Sequence, residues 1–146
     1  MLLVIPITGP VILGMMKTYA GYLGGLLKVG NKEGESITLE LIGLILHIFY
    51  SLNCIDLPEF FEDHMNEWMT YYKALLELNY NSESLRKCKT RVIKVVTLYS
   101  EKYASDFKNY LPSFFTLIYN QIEQTSMEPE YDKVVCLSNN SLWQIF

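Results

Sequence analysis

FYSLNCIDLPEFFEDHMNEWM, residues 49–69, sets a proline inside what otherwise reads as helix and follows it with acids, two phenylalanines and a tryptophan. Such a stretch is either a cluster of reactive carboxylates or a joint between helices, and its echo downstream decides. Leu57-Pro58-Glu59-Phe60-Phe61 returns as Leu111-Pro112-Ser113-Phe114-Phe115, 54 residues later, and Ile5-Pro6 places its proline 52 residues before Pro58. Each Ile-Pro or Leu-Pro introduces a helical segment that a second helical segment follows. A repeat of helix pairs at this length is the mark of a HEAT- or armadillo-like array, whose units run to about 40–47 residues against about 34 for a tetratricopeptide unit. No pair in such an array buries its apolar face alone, and stacking makes the core continuous. The expected fold is all-α: a HEAT-repeat-like α-solenoid of about three antiparallel helix pairs, spanning 5–53, 56–104 and 105–146 of a single unit.

The helices are read from apolar residues recurring every three or four positions. Over 10–28 these are Val11, Met15, Tyr19, Tyr22 and Leu26, with Thr8 as a cap, Pro10 in the first turn and Gly30 as the stop. Ser36 is expected to cap the next segment. Between Leu39 and Leu52 that segment is apolar on nearly all sides, so it is expected to be buried all round and central. Asp56 and Glu59 have the spacing of a capping box, and Pro58 suits the first turn of a helix running to about Leu78, with a break near Asp63-His64. Phe61, Met65, Trp68, Tyr72 and Leu75 or Leu76 fall on one side of it. Ser82 or Ser84 caps a fourth helix whose apolar side is Leu85, Cys88, Val92, Val95, Val96, Tyr99 and Tyr103. A fifth carries Phe107, Tyr110, Phe114, Leu117, Ile118 and Ile122, and a last one is expected over 131–145.

Composition narrows the function. Half of the 146 residues are hydrophobic and 19% are charged, which excludes a disordered chain and points to faces covered by neighbours. A net charge of −4 argues against a general nucleic-acid binder. Cys54, Cys88 and Cys136 are odd in number and far apart, so neither a disulfide framework nor a zinc site is indicated, and a reducing compartment fits. Asn139-Asn140-Ser141 matches a glycosylation sequon, a weak signal on its own. The first sixteen residues carry no charge, but Pro6, Gly9, Pro10 and Gly14 interrupt them, and no basic stretch precedes them as in a signal peptide.

Candidate sites are few. Glu59, Glu62, Asp63 and Glu67 beside His64 invite a catalytic reading, but they share one exposed helix side near a helix start, where acids serve the cap and the dipole. His47 is expected to be a core residue, Cys88 and Cys136 small hydrophobes, and Trp68 and Trp143 packing residues. No catalytic, cofactor-binding or metal-binding residue is assigned. Arg86, Lys87, Arg91 and Lys94 form a basic strip opposite the apolar side of the fourth helix, positioned to face an acidic protein partner. The competing reading is a solvated helix face, partly paired through Glu83 and Lys87.

FYSLN and DLPEFFEDHMNEWM, then YSEKYASDFKNYLPSFFTLIYN and EYDKVVCLSNNSLWQIF, together resemble the CAS-type exportin-2 family of importin-β relatives. The resemblance covers about 37–146, is weak over the first thirty-odd residues apart from the Ile5-Pro6-Ile7-Thr8 lead-in, and departs at the linker 79–84, which the family pattern makes longer and more acidic. It implies an internal fragment of a HEAT-repeat nuclear export receptor, shuttling between nucleus and cytoplasm, that carries importin-α outward together with Ran-GTP. No Ran- or cargo-contact residue is carried over. The fragment is expected to self-associate through exposed solenoid ends. Two other expectations stand beside this one: a general HEAT or armadillo scaffold unrelated to Ran, and a membrane-associated helical protein anchored by residues 1–27.

Overall fold

The computed structural model describes residues 5–124. Within them the chain forms only helices: α1 (Ile5–Val29), α2 (Lys32–Asn53), α3 (Glu59–Asp63), α4 (Met65–Glu77), α5 (Glu83–Lys102), α6 (Ala104–Phe107) and α7 (Leu111–Gln124). The helix expected over 131–145 lies outside the described residues, as do Cys136, Trp143 and the sequon.

Two residues turn the chain between α1 and α2. Gly30, at φ 71°, takes the left-handed conformation that a side chain disfavours. The amide of Asn31 then donates to the Leu26 carbonyl at 3.1 Å, the six-residue closure of a Schellman motif. The Asn31 side chain accepts from the Gly34 amide at 3.0 Å and caps α2. So α2 starts at Lys32, a full turn before the expected cap at Ser36. Ser36 instead shares a 2.9 Å hydrogen bond with Ser84 of α5.

The helices stack in two layers. α1, α3–α4 and α6–α7 form one, and α2 and α5 the other. Contacts within each layer fix direction. Ser36 meets Ser84, the Leu39 carbonyl meets Cys88, the Gly43 carbonyl meets Arg91, Asn53 meets Tyr99 and the Cys54 carbonyl meets Lys102. These pairs lie 46 to 49 residues apart and rise together, so α2 and α5 run parallel. In the other layer Gly9 abuts Phe60 and Lys17 pairs with Glu67, again in rising order. Parallel neighbours within a layer, joined by short turns between layers, make a solenoid of stacked helix pairs.

Packing centres on Phe49 of α2. Its ring centre lies 4.9 Å from Phe61, 4.8 Å from Trp68, 5.4 Å from Tyr72 and 5.9 Å from Tyr99, joining α2 to α3, α4 and α5. All five rings are fully buried. A second aromatic step carries the core onward, from Tyr99 to Phe107 and from Phe107 to Phe114.

Local expectations are corrected at several points. α1 begins at Ile5, so Thr8 does not cap and Pro10 sits inside the helix. The proline removes one backbone bond and is itself exposed, which limits the penalty. The buried side of α1 is Ile12, Leu13, Met16 and Leu23, one position away from the expected stripe, leaving Val11, Met15 and Tyr22 exposed. α1 is apolar on two sides, and periodicity cannot choose between them. Gly9 does: a Cβ there would come within 2.6 Å of the Phe60 ring, so that side must face α3.

α2 is not buried all round, because Ile37, Leu44 and Ile48 are exposed, and His47 is exposed rather than in the core. The capping box of Asp56 and Glu59 does not form. Asp56 accepts from the Leu57 amide at 2.8 Å, and Pro58 occupies the cap position without a side-chain bond. The expected break does occur, at His64 (φ −105°, ψ 15°). His64 stacks on Phe60 at 4.1 Å, and its Nδ1 donates to the Phe60 carbonyl at 2.8 Å. Ser82, not Ser84, caps α5 through the Leu85 amide. The fifth segment divides into α6 and α7.

Two tyrosines in the aromatic core give a paired test. Tyr99 Oη donates to Asn53 Oδ1 at 2.7 Å, and Asn53 Nδ2 donates to the Phe49 carbonyl at 2.8 Å. Tyr72 Oη is buried with no partner among the described residues. Tyr99→Phe orphans the Asn53 oxygen and is expected to cost about 1–3 kcal/mol, whereas Tyr72→Phe is expected to be neutral or stabilising; urea denaturation measures both. Burial holds both phenols above their ordinary value of 10.0. The neutral phenol is therefore favoured by the folded state. Stability from this source is fully present below pH 10 and falls as pH rises past it, a loss that Tyr72→Phe is expected to lessen in alkaline titrations.

Candidate partner-binding surfaces

The exposed side of α5 is positioned by the apolar side opposite it. Leu85, Cys88, Val92, Val95, Val96 and Tyr99 are buried, which turns Glu83, Lys87, Lys94 and Glu101 outward. Of the four residues in the sequence-derived basic strip, Lys87 and Lys94 are exposed, while Arg86 and Arg91 are half-buried. Lys87 lies 3.4 Å from Glu83 one turn earlier. The Arg91 guanidinium donates to the Gly43 carbonyl of α2, so its charge is committed to the join between pairs. The strip is thus shorter than expected and flanked by acids. The carboxylates of Glu59, Glu62 and Asp63 point to solvent, and Glu67 is held 2.8 Å from Lys17 of α1. Among the described residues, no group of three His, Cys, Asp or Glu side chains could hold a metal ion.

The join between α2 and α5 is polar and close. Besides Arg91, Lys102 donates to the Cys54 carbonyl and Tyr103 to the Asn53 carbonyl. Cys88 Sγ donates to the Leu39 carbonyl at 3.0 Å, and burial pushes its thiol up to about 12, which leaves it protonated and unreactive at neutral pH. The sequence reading missed this set of donors, because a backbone carbonyl that accepts from a neighbouring helix leaves no mark in residue type.

Lys89 was missed as well. It is buried, and its ammonium donates to Gln121 Oε1 at 2.9 Å, while Gln121 Nε2 donates to the Leu76 carbonyl at 2.9 Å. Burial lowers its pKa from 10.5. These bonds tie α4, α5 and α7 together.

The contact between α1 and α4 is looser. A shallow apolar groove of about 150 Å³ opens there, lined by Met16, Leu23, Leu27, Tyr71, Leu75 and Leu78 among others. Its polar fastening is the Lys17–Glu67 pair, both members about half exposed, a kind of contact worth little on its own. Of the described helices, α2 rather than α1 has the length and apolarity to cross a membrane, and 44% of that window is buried inside the fold. The flanking contacts of α1 and α5 make it a core helix.

The family model Cse1 matches residues 8–144. Exportin-2 of Xenopus laevis is 34% identical over 139 residues, covering 83% of this chain and 14% of the relative. Exportin-2 of Oreochromis niloticus is 41% identical over 108 residues, covering 68% and 11%, and that of Homo sapiens is 40% identical over 101 residues, covering 63% and 10%. The chain therefore spans between a tenth and a seventh of the length of these relatives. With the match running through both described helix pairs and beyond, the chain belongs to the Cse1 family, whose relatives here are the exportin-2 proteins.

Proposed function

We propose that this chain is one stretch of a nuclear export receptor that carries importin-α from nucleus to cytoplasm together with Ran-GTP. The Cse1 match over residues 8–144 carries this reading. The part played by the stretch is mechanical and protein-binding rather than catalytic. A stack of helix pairs offers a long continuous surface to protein partners, and small changes of angle between pairs couple one binding site to another. The unequal joins support this role. α2 and α5 are pinned by several donors to backbone carbonyls, whereas α1 meets α4 through apolar contacts and one exposed ion pair. Bending then proceeds by opening or closing the α1–α4 side about the α2–α5 side as hinge.

The outward side of α5, with Lys87 and Lys94 at its centre and the half-buried Arg86 and Arg91 beside them, is the proposed partner-facing strip. Its charges steer an acidic partner more than they hold it. Lys94→Glu in a full-length receptor is expected to slow association several-fold at low salt, with the difference fading as salt is raised; stopped-flow measurements read this directly. The reading as a whole is tested by titrating a full-length receptor that contains this segment with importin-α, with and without Ran held in its GTP form. Tightening of tenfold or more is expected, about 1.4 kcal/mol of coupling. Binding indifferent to Ran would leave a general helical-repeat scaffold instead.

A further inference from the structure

Between the first two helix pairs, along the edge where α1 and α4 finish and α2 and α5 begin, lies an open pocket of about 480 Å³. It is lined by Leu27 near the end of α1, Lys32 and Glu35 in the first turn of α2, and Tyr80, Asn81 and Ser82 in the turn from α4 to α5. Its walls are the turns of two adjoining pairs, which the Ser36–Ser84 hydrogen bond holds together just beyond. A further pair stacked at either end of the array would lie outside one turn or the other, not between them. The volume falls within the roughly 300–1,000 Å³ of ligand sites.

Two polar groups meet here without partners. Glu35 is 8% exposed, and its carboxylate makes no hydrogen bond or ion pair with any described residue. Tyr80 Oη is buried and has no hydrogen-bond partner among the described residues. Burial first, and then the nearby Glu35 charge, raise the Tyr80 phenol above its ordinary 10.0, so it keeps its proton at neutral pH. Lys32, three residues before Glu35 on α2, is exposed and forms no ion pair with it. Buried polar groups are as a rule hydrogen-bonded, and a buried carboxylate without a counter-charge is costly. The start of α2 favours negative charge and offsets part of that cost, but it leaves the carboxylate without a donor.

We propose that this pocket receives the side chain of an arginine from a partner polypeptide, with Glu35 as its anchor. A guanidinium presents paired N–H donors that match a carboxylate, and it is more weakly hydrated than an ammonium, which suits a site this deep. Leu27 and the Tyr80 ring offer an apolar wall to its methylene stem. The side-chain oxygens of Asn81 and Ser82 can accept from its remaining N–H groups. A metal ion is the poorer occupant, because Glu35 is the one acidic ligand lining the pocket. The inference requires neither Ran nor importin-α, and it is separate from the α5 strip, whose charge suits an acidic partner instead.

Titration of the isotope-labelled 146-residue chain with the peptide N-acetyl-Gly-Arg-Gly-amide tests it through backbone amide chemical shifts. Saturable shifts are expected within residues 27–36 and 78–85. The same peptide with citrulline, equal in shape but uncharged, is expected to bind tenfold or more weakly. Glu35→Gln is expected to cause the same loss, with the remainder of the spectrum in place. Lys32→Ala is expected to tighten binding, because it removes a competing cation. Equal binding of the citrulline peptide, or undiminished binding by Glu35→Gln, would overturn the proposal. A lysine peptide that binds as tightly would overturn the assignment to arginine, and weaker binding by Lys32→Ala would overturn it in favour of an anionic guest. So would the absence of any saturable shift at about 20 mM arginine peptide, which would leave Glu35 a structural residue of the α2 start.

Discussion

The Phe49 ring is the constraint on which the rest of the structure depends. It meets Phe61, Trp68, Tyr72 and Tyr99 at once, so α2 can neither slide nor rotate without parting from α3, α4 and α5 together. Aromatic pairs favour tilted and edge-on geometry, and most of these contacts adopt it. Such a hub fixes position but does not set direction along the helix. The polar bonds one turn away do: Asn53 accepts from Tyr99 and itself donates to the Phe49 carbonyl. Apolar contact supplies the bulk of the stabilisation here, and three residues in hydrogen-bonded sequence choose the register.

From that register follows an asymmetry between the two layers. Along α2 and α5, side chains reach backbone carbonyls of the neighbouring helix at several levels, and for the buried Cys88 and the half-buried Arg91 and Tyr103 burial would penalise the donor if its acceptor moved away, while Lys102 is exposed. Along α1 and α4 the contact is mostly between apolar groups, which tolerate sliding because their attraction has no direction. At the join between α1–α2 and α3–α5, then, one side is pinned and the other compliant, which gives that join a preferred axis of bending, whereas Gln121 holds α7 to α4 in the same layer. Any partner that grips several pairs at once will sense that axis, whatever its identity.

How much of this was legible in the sequence depended on how each residue was exposed to competing explanations. α5 was clear, because its apolar side is narrow and its charged residues leave a single solution: every buried residue expected from Leu85 to Tyr99 is buried. α1 was not, because apolar residues and glycines surround it, and its face is chosen by a distant ring, Phe60 against Gly9. Residue type points to Ser36 as a cap, and the spacing of Asp56 to Glu59 points to a capping box, yet neither forms. Asn31 had the better geometry for the first role, following a left-handed glycine, and Asp56 turned its oxygen to the adjacent Leu57 amide. The basic strip was half legible. Helical spacing placed Arg86, Lys87, Arg91 and Lys94 opposite the core, but arginine is long enough to reach a neighbouring helix, and Arg91 does.

The repeat itself was read through a motif that is not its structural period. The LPxFF copies lie 54 residues apart, whereas equivalent contacts between α2 and α5 lie 46 to 50 apart. Burial explains the mismatch. In the first copy the second phenylalanine, Phe61, fills the core and Phe60 is half-buried against Gly9; in the second, Phe114 is buried and Phe115 is half-buried. The extra residues are taken up by α6 and the turn after it, which move the start of α7 along the chain without moving the layer it belongs to. Leu-Pro marks a helix start in both places because a proline is tolerated there and few other places in a helix. What the two copies share is therefore a way of beginning a helix, and the solenoid that results is held in step by Phe49 and the α2 carbonyls instead.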